Sequence, residues 1–127
     1  MECIFCKIVK GEIPNFTVFE DEKFLSFLDV KPINPGHVLL ITKKHTEYLF
    51  DLQGKEYSDL LLKAKEIAKR LKTTLNPKKV GMAVDGFGVP HVHIHLIPIN
   101  GVGELNPERA TTADFEELKN LARKLKI

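Results

Sequence analysis

Three histidines alternate with apolar residues in the last third of the chain. His91, His93 and His95 occupy every second position, so an extended strand would place their imidazoles on one face and the intervening apolar side chains on the other. A single histidine in a strand usually has a structural role. Three in strict alternation indicate a functional site.

Two kinds of chemistry suit such a row of imidazoles. A His-x-His pair can bind Zn²⁺ or Fe²⁺, which would make the site a metal centre. Alternatively, a neutral imidazole can attack phosphorus while neighbouring rings stabilise the charge of the phosphate. The spacing alone does not decide between a metal-centred enzyme and phosphoryl chemistry.

The segment from His91 to Ile97 also fits the signature His-φ-His-φ-His-φ-φ, in which φ is apolar, at every position. In this respect the chain resembles the histidine-triad (HIT) family, and within it the bacterial and archaeal Hit or Hint-like branch. The resemblance extends over further segments in the family's order, at residues 4–8, 27–29, 35–39 and 43–45. It implies an α+β fold, in which a five-stranded antiparallel sheet carries one long helix, and a homodimer.

The resemblance also implies an enzyme, a hydrolase or transferase that acts at the α-phosphate of purine nucleotides. Nucleoside phosphoramidates, adenylates and dinucleoside polyphosphates are substrates of this class. The middle histidine, His93, would form a nucleotidyl-histidine intermediate, with its Nδ1 bonded to the carbonyl of His91. His95 would contact the phosphate, and His37 resembles a separate upstream histidine beside the phosphate pocket. The alternative is a nucleotide-binding module with little turnover.

A nucleoside pocket follows from the same resemblance. Asp29 resembles an acidic residue that accepts hydrogen bonds from the ribose hydroxyls, a role that suits a carboxylate. Apolar residues would enclose the base and bind purines with little discrimination between them; residues of this type are also common in ordinary cores. The predicted nucleotide-binding residues besides Asp29 are Phe5, Ile8, Phe27, Val30, Leu39, Gly88 and Val89, with Ile4 beside them.

Both cysteines lie in one short motif, Cys3-x-x-Cys6. Taken alone, this motif suits a redox pair or a turn. The family resemblance implies a Zn²⁺ site formed by Cys3, Cys6, His45 and His91. Four protein ligands leave no open position, so such a zinc would be structural. The alternative is two reduced thiols with an unligated His45.

The sequence departs from the family pattern between residues 85 and 90, just before the three histidines. Phe87 stands where many relatives have a glutamine that contacts phosphate, and Gly88 where a serine or threonine is common. The glycines offer backbone N–H groups instead. Asp85 stands in place of an asparagine, although an acid beside a phosphate is electrostatically costly. The leaving-group preference therefore stays open.

Five segments are predicted to be strands that position these residues: 17–20, 23–29, 37–42, 80–84 and 92–98. The first two suit a hairpin, and the proline- and glycine-containing segment before the third suits a loop. Hairpin-like connections favour an antiparallel sheet covered on one face by a long helix, which is an α+β design.

A long helix is predicted for residues 53–76, where apolar residues recur at spacings of three and four and an Asn-Pro pair follows. A C-terminal helix, capped by Thr111 or Thr112, is predicted to end near residue 126. Thr46 is predicted to cap a short helix before residue 52.

Length and composition limit the remaining possibilities. The 127 residues suit a single domain, 1–127, and 43% are hydrophobic. The net charge of +2 gives no sign of a nucleic-acid partner. No apolar run approaches the roughly 18 residues of a membrane span, and the first residues do not resemble a signal peptide. We therefore expect a cytoplasmic protein that binds neither nucleic acid nor a membrane. The family resemblance implies a purine nucleotide substrate and a second copy as its partners.

Overall fold

Five strands form one antiparallel sheet in the computed structural model, which describes residues 3–127. The strands are β1 (Thr17–Glu20), β2 (Phe24–Leu28), β3 (Val38–Thr42), β4 (Lys79–Ala83) and β5 (His93–Ile99). They lie in the order β1-β2-β3-β5-β4, with every neighbouring pair antiparallel. Three helices accompany them: α1 (Ile4–Val9), α2 (Gly54–Leu75) and α3 (Phe115–Leu125). The predicted α+β fold is confirmed.

Both faces of the sheet are covered, so the alternating side chains of the central strand enter two different cores. On β3, Val38 and Leu40 pack in the larger core, which contains the buried residues of α2 and α3. Leu39 and Ile41 pack on the opposite face, together with apolar residues of α1. On β5 the even-numbered apolar residues join the larger core. The histidines at odd positions therefore lie on the face that α1 covers.

The long helix α2 has the apolar stripe that the sequence predicts. Leu60, Ala64, Ile67 and Leu71 recur at three- and four-residue spacing, and all four are buried against the sheet. The helix ends at Asn76, which has a left-handed backbone conformation with φ of 53°. The proline that follows cannot continue a helix, which explains why the predicted end is confirmed.

The start of the C-terminal helix differs from the prediction. Asp114, and neither Thr111 nor Thr112, is its N-cap, because the Asp114 side chain accepts a hydrogen bond from the backbone N–H of Glu117. Thr111 lies earlier, in an extended segment, where its N–H donates to the carbonyl of Pro32 at 3.3 Å. The prediction placed the cap too early because threonine and aspartate are both good N-cap residues.

The prediction for Thr46 is also wrong. The short 3₁₀ helix Leu49–Asp51 begins after Tyr48, which makes no side-chain cap. Instead, the carbonyl of Thr46 accepts a 2.7 Å hydrogen bond from the N–H of Val92. This bond ties the segment after β3 to the residues that lead into β5.

Two parts of the structure that cover the histidine face were not predicted as structural elements, although Phe5 and Ile8 of the first were predicted to bind the nucleotide. Helix α1 is one of them: it buries Phe5 and Ile8 against the sheet, and the Cys3 thiol caps it by accepting from the N–H of Cys6 at 3.2 Å. The other is the segment of residues 100–113, which lies beside the residues that follow β2.

Among residues 3–127, no helix combines the length and the apolar composition needed to cross a membrane.

Candidate active site

A cavity of about 510 Å³ opens on the histidine face of the sheet, beside α1. Its volume lies in the range of small-molecule sites. All eleven residues that the sequence assigned to catalysis or nucleotide binding line it: His37, His93, His95, Asp29, Phe5, Ile8, Phe27, Val30, Leu39, Gly88 and Val89. The fold therefore collects residues from α1, three strands and two loops at one place.

His93 is held in one tautomer. Its Nδ1 lies 2.7 Å from the backbone carbonyl oxygen of His91. Because a carbonyl only accepts hydrogen bonds, the proton must be on Nδ1. The lone pair is then on Nε2, on the opposite side of the ring, and the residue lines the cavity. Phe5 packs edge-on against this imidazole at 5.1 Å between ring centroids, which fixes the plane of the ring.

His37 and His95 are fixed by a chain of hydrogen bonds. The backbone N–H of Ile33 donates to His37 Nδ1 at 3.0 Å, so that nitrogen carries no proton. His37 Nε2 therefore carries the proton and donates it to His95 Nδ1 at 2.9 Å. In the neutral His95 ring the proton must then be on Nε2. This series of hydrogen bonds leaves the Nε2–H of His95 available to donate to a ligand.

The electrostatics of the site agree with these neutral tautomers. Burial, together with a smaller effect of the neighbouring His95, lowers the pKa of His37 to about 3. Burial and the nearby His93 also lower the pKa of His95. His37 is only 2% exposed. Near neutral pH His37 is therefore uncharged, as the hydrogen bond from Ile33 requires.

Asp29 directly follows β2 at the rim of the cavity. Its Oδ1 accepts from the backbone N–H of Lys31 at 2.9 Å, and its Oδ2 lies 3.6 Å from His37 Nε2. Burial raises the pKa of this carboxyl group. One oxygen is thus engaged in a turn, while the other borders the cavity.

Asp29, His37 and His95 lie close enough for a metal ion, with their ligand atoms within 4.8 Å of one another. Their chemistry does not fit one. His37 Nδ1 accepts a hydrogen bond from a backbone N–H and therefore carries no proton. If Nε2 bound a metal as well, neither ring nitrogen would carry a proton, and His37 would have to be an imidazolate. Metal-bound histidine normally donates from its second nitrogen. The donor set therefore does not favour the metal-centred interpretation of this cavity.

A second cluster contains the four predicted zinc ligands, and none of the four lines the cavity. The thiols lie 3.2–3.6 Å from the Nδ1 atoms of His45 and His91, and those two nitrogens are 3.3 Å apart. A tetrahedral zinc with ordinary bond lengths requires about 3.5 Å between sulfur and nitrogen ligands and about 3.3 Å between two nitrogens. The spacing of these residues fits the ion.

The protonation of His91 also fits a metal ligand. Its Nε2 lies 2.6 Å from the carbonyl oxygen of Thr42, so the proton is on Nε2 and the lone pair of Nδ1 faces the two thiols. A second-shell carbonyl of this kind orients metal-binding histidines. Although His91 belongs to the alternating row, it precedes β5, and its ring lies in a different environment from those of His93 and His95.

The loop at residues 85–90 brings Asp85, Gly88 and Val89 to the cavity. Phe87 does not line it: its side chain is 92% exposed. The N–H of Phe87 donates to Asp85 Oδ1 at 3.2 Å. Phe87 therefore offers its backbone to the loop and no side chain to the cavity.

Several lining residues escaped the sequence analysis. They lie between α1 and β1 or in the segment of residues 100–113, and they are Ile13, Pro14, Asn15, Phe16, Leu105, Pro107 and Ala110. None belongs to a periodic pattern. The one available signal was the presence of proline beside apolar residues in both segments. This pattern is typical of ordered loops, but it does not predict which part of the protein a loop contacts.

Comparison with known proteins gives consistent results. The sequence model described as "HIT domain" matches residues 10–101. An adenosine 5'-monophosphoramidase of Candida albicans is 41% identical, over 98% of this chain and 89% of its own.

Two solved structures are similar over nearly the whole chain. A Hit-like protein from Bartonella henselae, crystallised with an unknown ligand, superimposes with a TM-score of 0.88 at 29% identity, over 98% of this chain and 93% of its own. A zinc-bound histidine triad protein from Mycobacterium smegmatis gives 0.83 at 29% identity, over 99% and 91%. The similarity thus includes both the sheet and the two segments that cover the cavity.

Proposed function

This chain belongs to the HIT family, and on that premise we propose that it is a hydrolase of purine nucleotides that attacks the α-phosphate through His93. The relative named as an adenosine 5'-monophosphoramidase supports a nucleoside phosphoramidate as the substrate. The observation that carries the proposal is the 2.7 Å bond from His93 Nδ1 to the His91 carbonyl. It leaves the lone pair of Nε2 on the cavity side, which a nucleophile requires.

The proposed reaction has two displacements. In the first, the Nε2 lone pair of His93 forms a bond to the α-phosphorus and the bond from phosphorus to the leaving nitrogen breaks. That nitrogen keeps the electron pair of the broken bond and takes one proton from water. In the second, a water molecule attacks phosphorus, the bond to Nε2 breaks, and the proton of the water returns to solvent. One water is consumed, and a nucleoside monophosphate and an amine are released.

The other two histidines act through hydrogen bonds. His95 Nε2–H would donate to a phosphoryl oxygen, where negative charge grows during the attack. His37 is a positioning residue, because its Nε2–H is donated to His95, whose tautomer it sets. Neutral rings suit these roles because each must present one donor and one acceptor in a fixed order.

The part of the cavity beside α1 and β2 suits a nucleoside. We place the ribose hydroxyls at Asp29, whose Oδ2 is not used by the turn. The base would lie among apolar side chains, since Phe5 and Phe27 pack edge-to-face at 5.8 Å and both line the cavity. Few polar groups face this slot, so we expect adenine and guanine to bind similarly.

We further propose that Cys3, Cys6, His45 and His91 hold a structural Zn²⁺. The ligand spacing and the lone pair of His91 support this, as does the zinc-bound relative from Mycobacterium smegmatis. When bound, the ion supplies four coordinate bonds that tie the N-terminal residues to the segments at 45 and 91. It has no open position for substrate.

A homodimer is proposed through the free edge of the sheet. β4 is an edge strand, and Met82 and Val84 are 54% and 39% exposed there. Tyr48 and Phe50 add two exposed rings that pack edge-to-face, with 5.5 Å between their centroids. An unpaired edge beside exposed apolar groups is a common site of association. Light scattering on the wild type and Met82→Lys tests it, with a dimer expected only for the wild type.

The experiment that tests the reaction compares the wild type with His93→Ala on adenosine monophosphate linked through a P–N bond to a simple alkylamine. We expect turnover in the wild type and none in the variant, while both bind adenosine monophosphate. The competing function, a nucleotide-binding module, predicts binding by both and turnover by neither. Equal turnover by both proteins would refute the assignment of His93.

A further inference from the structure

We propose that Asp85 makes the site selective for leaving groups that carry a positive charge and against those that carry a negative one. The inference rests on the proposed function, because it concerns the group that departs from the α-phosphate. It goes beyond that function by choosing among leaving groups. A polyphosphate is disfavoured, and an amine with a second, cationic end is favoured.

The pairing of β4 with β5 places Asp85 beside the histidines. Ala83 is paired with His95 in this antiparallel ladder, and residues opposite one another share a face of the sheet. Asp85 lies two residues beyond Ala83, just past the end of β4. It lines the cavity with both histidines. The carboxylate is therefore at the phosphate end of the site.

The local structure directs this carboxylate. Asp85 Oδ1 accepts from the N–H of Phe87 at 3.2 Å, which leaves Oδ2 available to a ligand. The negative charge reaches the reacting groups, since Asp85 adds to the effect of Asp29 in raising the pKa of His95 against the larger effect of burial. A group that leaves the α-phosphate beside His95 is therefore exposed to the negative charge of Asp85.

The distribution of the other charges strengthens the argument. Of the residues that line the cavity, Asp29 and Asp85 are acidic and Lys31 is the single lysine or arginine. Lys31 lies two residues after Asp29, whose Oδ1 accepts a hydrogen bond from the Lys31 backbone N–H. Sites for polyphosphates surround the charge with arginine, lysine or Mg²⁺. Here a polyphosphate leaving group would meet the Asp85 carboxylate, in a lining that has two acidic residues and one lysine.

The test uses three substrates that differ only in charge. Adenosine monophosphate is linked through a P–N bond to three amines of matched length, whose far ends are an ammonium, a methyl group and a carboxylate. The enzymes are the wild type, Asp85→Asn, and Asp51→Asn as a control with the same chemical change. Asp51 is exposed and lies outside the cavity lining. The readout is the ratio of kcat/KM between substrates, measured at low and high salt.

For the wild type and Asp51→Asn we expect kcat/KM to be about tenfold higher for the ammonium substrate than for the carboxylate substrate at low salt, since attraction and repulsion both contribute. For Asp85→Asn we expect the two values to agree within about twofold. Added salt should reduce the preference of the wild type, because it screens partly exposed charges.

Equal kcat/KM for the three substrates in the wild type would overturn the inference while the proposed function stands. So would a preference that survives Asp85→Asn or is insensitive to salt. Failure of the wild type to hydrolyse even the methyl-ended substrate would instead refute the proposed function, and this inference with it.

Discussion

His93 donates a 2.7 Å hydrogen bond from Nδ1 to the backbone carbonyl oxygen of His91, whose own imidazole lies in the cluster with Cys3, Cys6 and His45. One peptide unit therefore joins the proposed metal ligand to the proposed nucleophile. The position of His91 decides both where the carbonyl points and which nitrogen of His93 is free. This arrangement couples the stability of the cluster to the geometry of the cavity.

The first prediction concerns this coupling. Removing Zn²⁺ with a chelator should lower the melting temperature of the wild type and reduce its turnover. Without the ion the His91 side chain is no longer held, so the position of the His91 carbonyl is no longer fixed. Metal analysis of the untreated protein should find one zinc for each chain. Cys6→Ser is the matched control: it should start at the lower melting temperature and not respond to the chelator. A wild type without zinc, or one unaffected by chelation, would contradict the zinc site.

The second prediction concerns pH and His37. In the folded protein its pKa is about 3, below the ordinary value of 6.5. Between these values the unfolded chain binds a proton at this residue and the folded chain does not, so stability falls as the pH falls below 6.5. His37→Gln retains an acceptor and a donor but cannot titrate. The variant should lose stability less steeply, by up to about 1.4 kcal/mol for each pH unit.

Urea unfolding of both proteins from pH 7 to pH 5 measures that difference directly. Acid-sensitive groups that do not contact His37, including His91 and the other metal ligands, are common to the two proteins and cancel in the comparison. Parallel curves for the wild type and His37→Gln would show that His37 is not held neutral by burial.

The third prediction concerns the turn before His37. Gly36 has φ of +90°, and a Cβ at this position would collide with Leu75 Cδ1 and lie 3.1 Å from Pro98 Cγ. Gly36→Ala should therefore lower the free energy of unfolding by about 2 kcal/mol or more, from backbone strain and overpacking together. Gly54→Ala is the control, because a Cβ added at Gly54 would have no neighbouring atom within 4 Å. Urea denaturation should find the control at or slightly above wild-type stability; a tolerated Gly36→Ala would contradict the packing.

The fourth prediction concerns the ribose. If Asp29 Oδ2 accepts from the sugar hydroxyls, ribonucleotide substrates should exceed their 2'-deoxy analogues in kcat/KM by about tenfold or more, the value of a charge-assisted hydrogen bond. Asp29→Asn can still accept from the Lys31 N–H through Oδ1, but its second atom is then a donor. The variant should lose most of the preference for ribose. An unchanged ratio in the variant would place the ribose elsewhere.

Much of the fold follows from local patterns in the sequence. The alternation of β5 assigns His93 and His95 to one face because strand side chains have a period of two, and the larger core confirms the opposite face. The stripe of α2 is equally regular. Both patterns are properties of one segment, so they can be recognised without knowing what the segment contacts.

The remaining features depend on contacts between distant segments. Helix α1 has only six residues, too few for a periodic pattern, and its N-cap is a thiol, which is not a usual capping side chain. The segment of residues 100–113 is ordered by bonds from Thr111 to Pro32 and from Ala113 to Val30, which no local rule predicts. The family resemblance brought the Cys3 motif together with His45; spacing alone does not.

The bond between His93 and phosphorus is the central claim, and a covalent adduct tests it most directly. The wild type and His93→Ala are mixed with an adenosine monophosphoramidate, quenched within the first turnover under alkaline conditions that preserve a phosphorus–nitrogen bond, and analysed by intact mass and peptide mapping. We predict one adenylyl group on the wild type, on the peptide containing His93, and none on the variant. Turnover of the substrate without any adduct, or an adduct on a different residue, would contradict the account.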